Sequence, residues 1–463
     1  MIGSPYAVLL KLGASLLVSS LIAPAIAHAQ GFGIYEQGAC VMSRGGAGVA
    51  DPCHDGSAIY VNPAGLFGES RIVVGGGATT VFGSGRFTGD TGPQTNLKRS
   101  VSFPPHIYFQ YRLAERVALG AGFYVPYGLG VEWPLDFAGR FVAHEANLTT
   151  TYFQPTVAFA PTRSIAIGAG LTVATGSVKL ARRQDLAAIP LGTVPGLTFG
   201  ALVQDQTDFL NTELDASGAR GIGANLGVAV TVNDRLRVGA RYLTPVTLTY
   251  RGDAVFTPIV ASYRVTKPNV LGLPVGFPLD DSVSQVQAAF QNQPVTTELT
   301  MPAQFVAGLS ARVTDRVKIL ADYQWVGWSA FDTVTIAFSS PVPPTEQLEQ
   351  GYRDTSAIRV GLEFTAAPRL RLSGGFFSNQ AAAPDETVTP LLPEARRNHF
   401  TAGAGWRPSA SVSLDLAYQF VHHADRRGRV VNPAAGEPPT AALNSGTYRS
   451  RASLLGITLT FRR

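Results

Sequence analysis

From Arg71 onward the chain alternates apolar and polar residues with a period of two, and that pattern leaves few folds open. Between Val412 and Phe420, the residues Val412, Leu414, Leu416, Tyr418 and Phe420 share one face, while Ser413, Asp415, Ala417 and Gln419 share the other. From Ile358 the split is Ile358, Val360, Leu362 and Phe364 against Arg359, Gly361 and Glu363. From Leu236 it is Leu236, Val238, Ala240 and Tyr242 against Arg237, Gly239 and Arg241. The C-terminus repeats it with Leu455, Ile457, Leu459 and Phe461 on one face, and Arg462 and Arg463 beyond the last aromatic.

Counting such segments gives about fourteen strands, an even number as bacterial outer-membrane barrels require. Short turns close alternate connections, at Leu113-Ala114-Glu115, Pro161-Thr162-Arg163, Asn233-Asp234, Thr314-Asp315, Ala367-Pro368 and Pro408-Ser409. The other connections are longer. Short turns on the periplasmic side and long loops outside are a barrel rhythm. A soluble β-sandwich also alternates, with its apolar face turned inward. The unbroken strand series, the many Gly and Ala on the more polar face and an export signal favour the membrane. The expected fold is all-β: a 14-stranded antiparallel transmembrane β-barrel with an N-terminal hatch, the barrel spanning 71–463 and the hatch 30–70.

The export signal occupies residues 1–29, with Lys11, an apolar run from Leu16 to Ile26 and the small-x-small site Ala27-His28-Ala29, so mature residue one is placed at Gln30. The alternative, a spanning helix, needs roughly 20 apolar residues, more than this run supplies. Charged residues make up only 15% of the chain and the mean hydropathy is +0.13, less polar than an exported soluble enzyme would be. The formal net charge of +5 suits an anionic surface. The basic residues are scattered, with no aromatic-interleaved patch, which argues against nucleic acid.

The segment GFGIYEQGACVMSRGGAGVADPCHDGSAIYVNPAGLFG, from Gly31 to Gly68, lacks any sustained period and reads as a compact irregular plug. Asn62-Pro63-Ala64 is its centre: Asn bonds nearby backbone and Pro fixes φ, a combination that holds a tight turn. Cys40 and Cys53 both lie in the plug. An oxidising periplasm favours their pairing, and two free buried thiols are the alternative. No Cys/His cluster has metal-ligand spacing; His422-His423 reads as a solvated strand end. No cofactor is expected.

At these residues the chain resembles the FadL/TodX-type outer-membrane transporters of long-chain fatty acids and hydrophobic compounds. The resemblance rests on the plug segment, on PYGLGVEWPLDFAGR (Pro126–Arg140), on ELTMPAQF (Glu298–Phe305) and on WVGWSAFD (Trp325–Asp332), in that order along the whole mature chain. It implies a hatch plugging the lumen, a hydrophobic groove on two extracellular loops, an interior pocket, and lateral release through a gap beside a kinked third strand. It also implies coupling between ligand binding and the hatch N-terminus. Phe32 matches an aromatic that reaches into the pocket; packing inside the plug is the alternative.

Gly120, Gly122 and Pro126 fall in the third strand. Proline removes a ladder donor and glycine permits a bulge, so the strand is expected to bend from its neighbour there. Two long connections are unusually apolar. One, 184–208, holds Leu186, Ile189, Leu191, Leu197, Phe199 and Leu202; the other, 258–294, holds Val270, Leu271, Leu273, Val275, Phe277 and Phe290. Exposed apolar loops mark interaction sites, so a capture groove is expected; loops that cap the barrel by packing on each other are the alternative. Arg182 and Arg183, where strand five enters the first apolar loop, are candidates to hold a carboxylate in a bidentate pair. Arg353, Glu394, Arg396 and Arg397 form a second charged cluster, where LLPEARR departs from the more acidic family form.

The expected function is passive uptake of long-chain fatty acids or related hydrophobic compounds by a monomer in contact with outer-membrane lipid and lipopolysaccharide. Aromatic or alkane hydrocarbons are alternative cargo. An enzyme is disfavoured because no G-x-S-x-G elbow or acid/base set is present. A hydrophilic porin is disfavoured by the plug and the apolar loops.

Overall fold

The computed structural model describes residues 31–90, 93–98, 100–192, 194–428 and 446–463. The expected signal peptide, 1–29, and Gln30 lie outside the described residues. Fourteen antiparallel strands close into one barrel. They are β1 (Ile72–Gly89), β2 (Pro105–Ala114), β3 (Val117–Glu132), β4 (Glu145–Phe159), β5 (Ile165–Asp185) and β6 (Asp208–Asn233). Then come β7 (Leu236–Leu243 with Val246–Pro258), β8 (Gln293–Met301 with Gln304–Arg312) and β9 (Val317–Val326 with Thr333–Phe338). The series ends with β10 (Thr355–Ala367), β11 (Leu370–Asn379), β12 (Arg397–Trp406), β13 (Val412–His423) and β14 (Gly446–Arg462). Closure is the ladder between β1 and β14, from Val73↔Arg462 to Gly89↔Gly446.

The burial pattern decides between barrel and sandwich. Leu455, Ile457, Leu459 and Phe461 are 40–51% exposed, whereas Asp415, Gln419, Arg359 and Glu363 are buried. The apolar face is the outer one, as lipid requires, and the polar face looks into the lumen. Short turns lie at one rim, taken as periplasmic, and the long connections at the other.

β5 and β6 run further outward than the alternation suggests, because they keep pairing through Arg183↔Asn211 and Gln184↔Leu210. The loops that follow are ordered rather than open. Leu186, Phe199 and Leu202 of the first loop bury against Tyr263, Val265, Leu279 and Val283 of the second, which carries a helix at Asp280–Ala289.

The hatch fills the lumen. Its two short helices, α1 (Ala39–Ser43) and α2 (Ala58–Val61), and a 3-10 turn at Pro63–Leu66 are almost wholly buried. Cys40 and Cys53 are joined in a disulfide. The Asn62 amide closes the turn: Oδ1 accepts from Ala64 N–H (3.1 Å), and Nδ2 donates to Val49 O (2.7 Å) and to Val228 O of β6 (3.0 Å). The turn sits tightly on the wall, since a Cβ at Gly227 would fall 2.0 Å from Asn62 Oδ1 and one at Gly168 would fall 2.3 Å from the Pro63 carbonyl carbon.

Ion pairs fix the hatch to the barrel. Arg44 meets Glu363, and Asp51 meets Lys318 (2.6 Å) and Arg237 (2.7 Å). Burial alone would raise the Asp51 carboxyl, but the Lys318, Arg44 and Arg237 cations hold it well below the usual carboxylate range. Gly48 and Val49 N–H groups both donate to Asp322, at 2.7 and 2.9 Å. Arg462 of β14 donates to His54 O, so the first of the two arginines beyond the last aromatic anchors the hatch, while Arg463 pairs its backbone with Ile72 of β1.

Candidate functional site

Above the hatch, on the long-loop side, the lumen-facing residues change from polar to apolar. Leu129 of β3, Leu148 of β4, Val178 and Leu180 of β5, Leu299 of β8, Val334 of β9, and Leu348, Leu391 and Leu392 from connecting segments line a common apolar pocket. Phe32 and Phe331 complete the wall, and Asn147 and Gln350 are its polar members. A lining of this character suits an apolar chain or ring.

Phe32 comes from the hatch tip. Its ring packs edge-on against Trp328 (4.9 Å between centroids), Phe331 (5.4 Å) and Tyr127 (6.1 Å). One aromatic therefore both lines the pocket and touches β3.

β3 has an open edge beside that tip. Its ladder with β2 stops at Ile107↔Phe123. Extending that register sets Pro104 opposite Pro126, two residues with no N–H to share. The ladder with β4 is also broken, by a bulge between Tyr124 and Tyr127. The hatch tip occupies the vacant edge. Ile34 N–H donates to Pro126 O (2.7 Å), Gly128 N–H donates to Phe32 O (3.1 Å), and Gln37 Nε2 donates to Val125 O (2.9 Å).

One step outward of the pocket, Arg182 follows Leu180 on the same face of β5, and its guanidinium pairs with Glu346. Glu346 stands in the same relation to Leu348, so this ion pair crosses the lumen over two pocket walls.

A family model for the outer membrane protein transport proteins (OMPP1/FadL/TodX) matches residues 20–462. The chain belongs to this family. It is 22% identical to the long-chain fatty acid transport protein of Escherichia coli O6:H1, over 93% of this chain and 94% of that one. The solved FadL homologue of Pseudomonas aeruginosa superposes with a TM-score of 0.78 at 18% identity, covering 94% of this chain and all of that one. The Pseudomonas putida toluene transporter TodX superposes with a TM-score of 0.69 at 17% identity, covering 93% and 99%. This FadL/TodX-family chain is thus an outer-membrane protein with a transmembrane β-barrel.

In this family member the candidate residues separate into groups. Phe32 lines the pocket; Arg182, Arg353, Glu394 and Arg397 do not. Arg183 takes the other face of β5, because alternation turns it away from Arg182. Arg353 is exposed. Glu394 and Arg397 are near one another (3.7 Å), and Arg397 reaches the hatch tip.

Two expectations need correction. Leu186, Phe199 and Leu202 do not form an open groove; they are at most 2% exposed, consumed by loop-on-loop packing. Ile189, Leu197 and Leu273 pack partly against the same cluster, leaving Leu271, Val275 and Phe277 exposed on the second loop. Gly120 and Gly122 are not part of the bend. Both lie in regular ladders, opposite Gln110 and Tyr108 of β2, and their bare faces admit Ile59 of the hatch, which a Cβ would meet at about 3 Å. Pro126 alone, of the three, sits at the bulge.

Sequence reading missed the pocket walls. Leu148 shares the lumen face of β4 with the buried Thr150 and Gln154, and Leu180 shares that of β5 with the buried Thr172, so both are large apolar residues on faces of mostly small or polar ones. That break in phase was the available signal. Nothing local pointed to Glu346 as the partner of Arg182.

Proposed function

We propose that this protein carries hydrophobic molecules with a carboxylate end, long-chain fatty acids foremost, passively across the outer membrane and releases them sideways between β2 and β3. The observation that supports this most is the shared position of Phe32. It lines the apolar pocket, and its own backbone occupies the β3 edge where the wall lacks its ladder. A ligand that displaces the tip from the pocket uncovers that edge in the same movement. Val275 and Phe277, 63% and 43% exposed on the second outer loop, offer a first apolar contact. An apolar ligand that leaves through the wall enters the bilayer without crossing the polar lipopolysaccharide layer.

The carboxylate preference rests on Arg182. A planar guanidinium binds carboxylates in parallel pairs, and Glu346 already supplies one. An incoming fatty acid would exchange for Glu346 as its chain enters the pocket below. The almost unbroken apolar lining, with only Asn147 and Gln350 as polar members, favours the second reading, a neutral aromatic such as the toluene that names one solved relative. We take the protein to act as a monomer and to need no energy source.

Uptake by cells with and without the protein separates these readings. Labelled oleate entry should depend on the protein, and Arg182→Ala should reduce it about tenfold or more, since a charge-assisted hydrogen bond is worth about 1.5–3 kcal/mol. Toluene entry should be little changed by Arg182→Ala. Unchanged oleate entry together with faster entry of a small sugar would remove the transporter reading in favour of a porin.

A further inference from the structure

Two adjacent carbonyls at the hatch tip are held from opposite walls of the barrel. Phe32 O accepts from Gly128 N–H of β3 (3.1 Å). Gly31 O accepts from Arg397 Nη2 of β12. Gly31 itself has no room to shift toward the wall behind it, because a Cβ there would stand 2.4 Å from Trp328 Cζ2.

Arg397 is in turn positioned by Glu394. The two side chains are 3.7 Å apart, and the carboxylate is fully buried. Glu394 Oε2 accepts the N–H groups of Ala382 (2.8 Å) and Ala383 (3.3 Å), so one carboxylate ties both ends of the β11–β12 loop to the guanidinium. From the other side, Arg426 donates to Ala383 O (2.5 Å) and pairs with Asp385 (2.9 Å). The same loop contributes Leu391 and Leu392 to the pocket wall. An unbroken line of contacts therefore runs from the pocket through Leu392, Glu394 and Arg397 to Gly31, and from there to the open edge of β3.

We propose that Arg397 is a latch that holds the hatch tip on the β3 edge, and that the Leu391–Glu394 segment is the trigger through which a bound apolar chain releases it. Arg397 is a positioning residue: it sets where the tip rests. The proposal rests on the lateral-exit reading above. Both contacts are made by Arg397 Nη2, a hydrogen bond to Gly31 O and an ion pair with Glu394 at 3.7 Å, and a lysine ammonium on a more flexible stem would hold that point less firmly. A ligand that presses Leu391 and Leu392 outward moves Glu394 with them. Arg397 then gives up either its carboxylate or the Gly31 carbonyl, and yielding the carbonyl leaves the tip held by β3 alone.

Amide hydrogen exchange on the full-length protein in detergent micelles reads this directly, because local opening sets the rate. In Arg397→Gln, the amides of Ile34 and Gly128 should exchange about tenfold faster or more, as expected for loss of a hydrogen bond to a charged group. The amides of Gly48 and Val49 in the hatch core should keep their wild-type rates, which shows that the variant is folded. Oleate added to the wild type should speed the same two tip amides, and should add nothing in Arg397→Gln. Arg397→Lys should fall between the two. Tip amides as slow in Arg397→Gln as in wild type would overturn the latch, as would equal acceleration of Gly48 and Val49. None of these rates depends on transport, so a failed latch is distinguishable from a failed transport reading.

Discussion

Between Glu36 and Leu66 the hatch is tied to the barrel by side chains, whereas between Gly31 and Ile34 it is tied largely through its own backbone. The core has a disulfide, buried ion pairs from Glu36, Arg44 and Asp51, the Gln37 amide on Val125, the Asp322 cap on Gly48 and Val49, and the Asn62 turn. The tip has the Phe32–Gly128 and Ile34–Pro126 bonds and Arg397 on Gly31. Removing one partner of a buried ion pair leaves an uncompensated charge; letting go of a backbone bond leaves groups that another acceptor or water can satisfy. On the proposed lateral route the core stays and the tip leaves. Passage by expulsion of the whole hatch would have to break the costly set, and sideways passage only the cheap one.

Three perturbations break or sharpen that contrast. The largest effect is expected for Arg44→Ala, which strips the nearest of three cations from Glu363, leaving Lys318 (3.3 Å) and Arg371 (3.5 Å), and should destabilise the core by about 3 kcal/mol. Hydrogen exchange at Gly48 and Val49 would accelerate, and cells would admit small polar solutes. Retained protection at those amides would show that the ion pairs do not hold the core. Next is Cys40→Ser combined with Cys53→Ser. Opening a loop of this length should cost about 3 kcal/mol, seen as lost protection across 39–66. The Ile34 amide should be unaffected, and if it loosens equally, core and tip form one unit and the contrast fails.

The smallest effect is on pH. Burial pushes the Glu394 carboxyl up to about 7 against the pull of Arg397, with Arg426 and Tyr352 also facing it. Its usual value is 4.5, so below that pH the group is neutral whether the loop is folded or not. Above it the unfolded form ionises first, and stability is lost as pH rises through about 7. Protection of the Ala382 and Ala383 amides should decline over that window in the wild type and stay flat in Glu394→Gln. A sloping profile in the variant would assign the pH response elsewhere.

Much of this architecture was legible from residues alone. Alternation at Val412–Phe420 or Leu455–Phe461 is a local property of a strand that meets lipid on one side and lumen on the other, so strand number, turn positions and outward faces could be read directly. The plug was legible by its lack of period. The loops were legible only as apolar. Leu186 and Phe199 look the same in sequence whether they meet a ligand or Val283, because composition carries no partner. Gly120 and Gly122 misled for a related reason: a strand glycine marks either a bend or a close approach, and Ile59, which makes it the latter, is about sixty residues away.

The sequence by itself determined the barrel and the irregular segment that fills it, because each depends on near neighbours in the chain. Only the tertiary structure decided where the β2–β3 ladder breaks, which hatch residues lie on that edge and where the apolar pocket lies. The β3 edge begins where the ladder with β2 ends at Ile107↔Phe123, with Pro104 and Pro126 in register beyond it, and the pocket forms because residues from β3, β4, β5, β8 and β9 meet across the lumen. Both depend on the register with which the sheet closes, and a period of two says which face a residue takes without saying what stands opposite it.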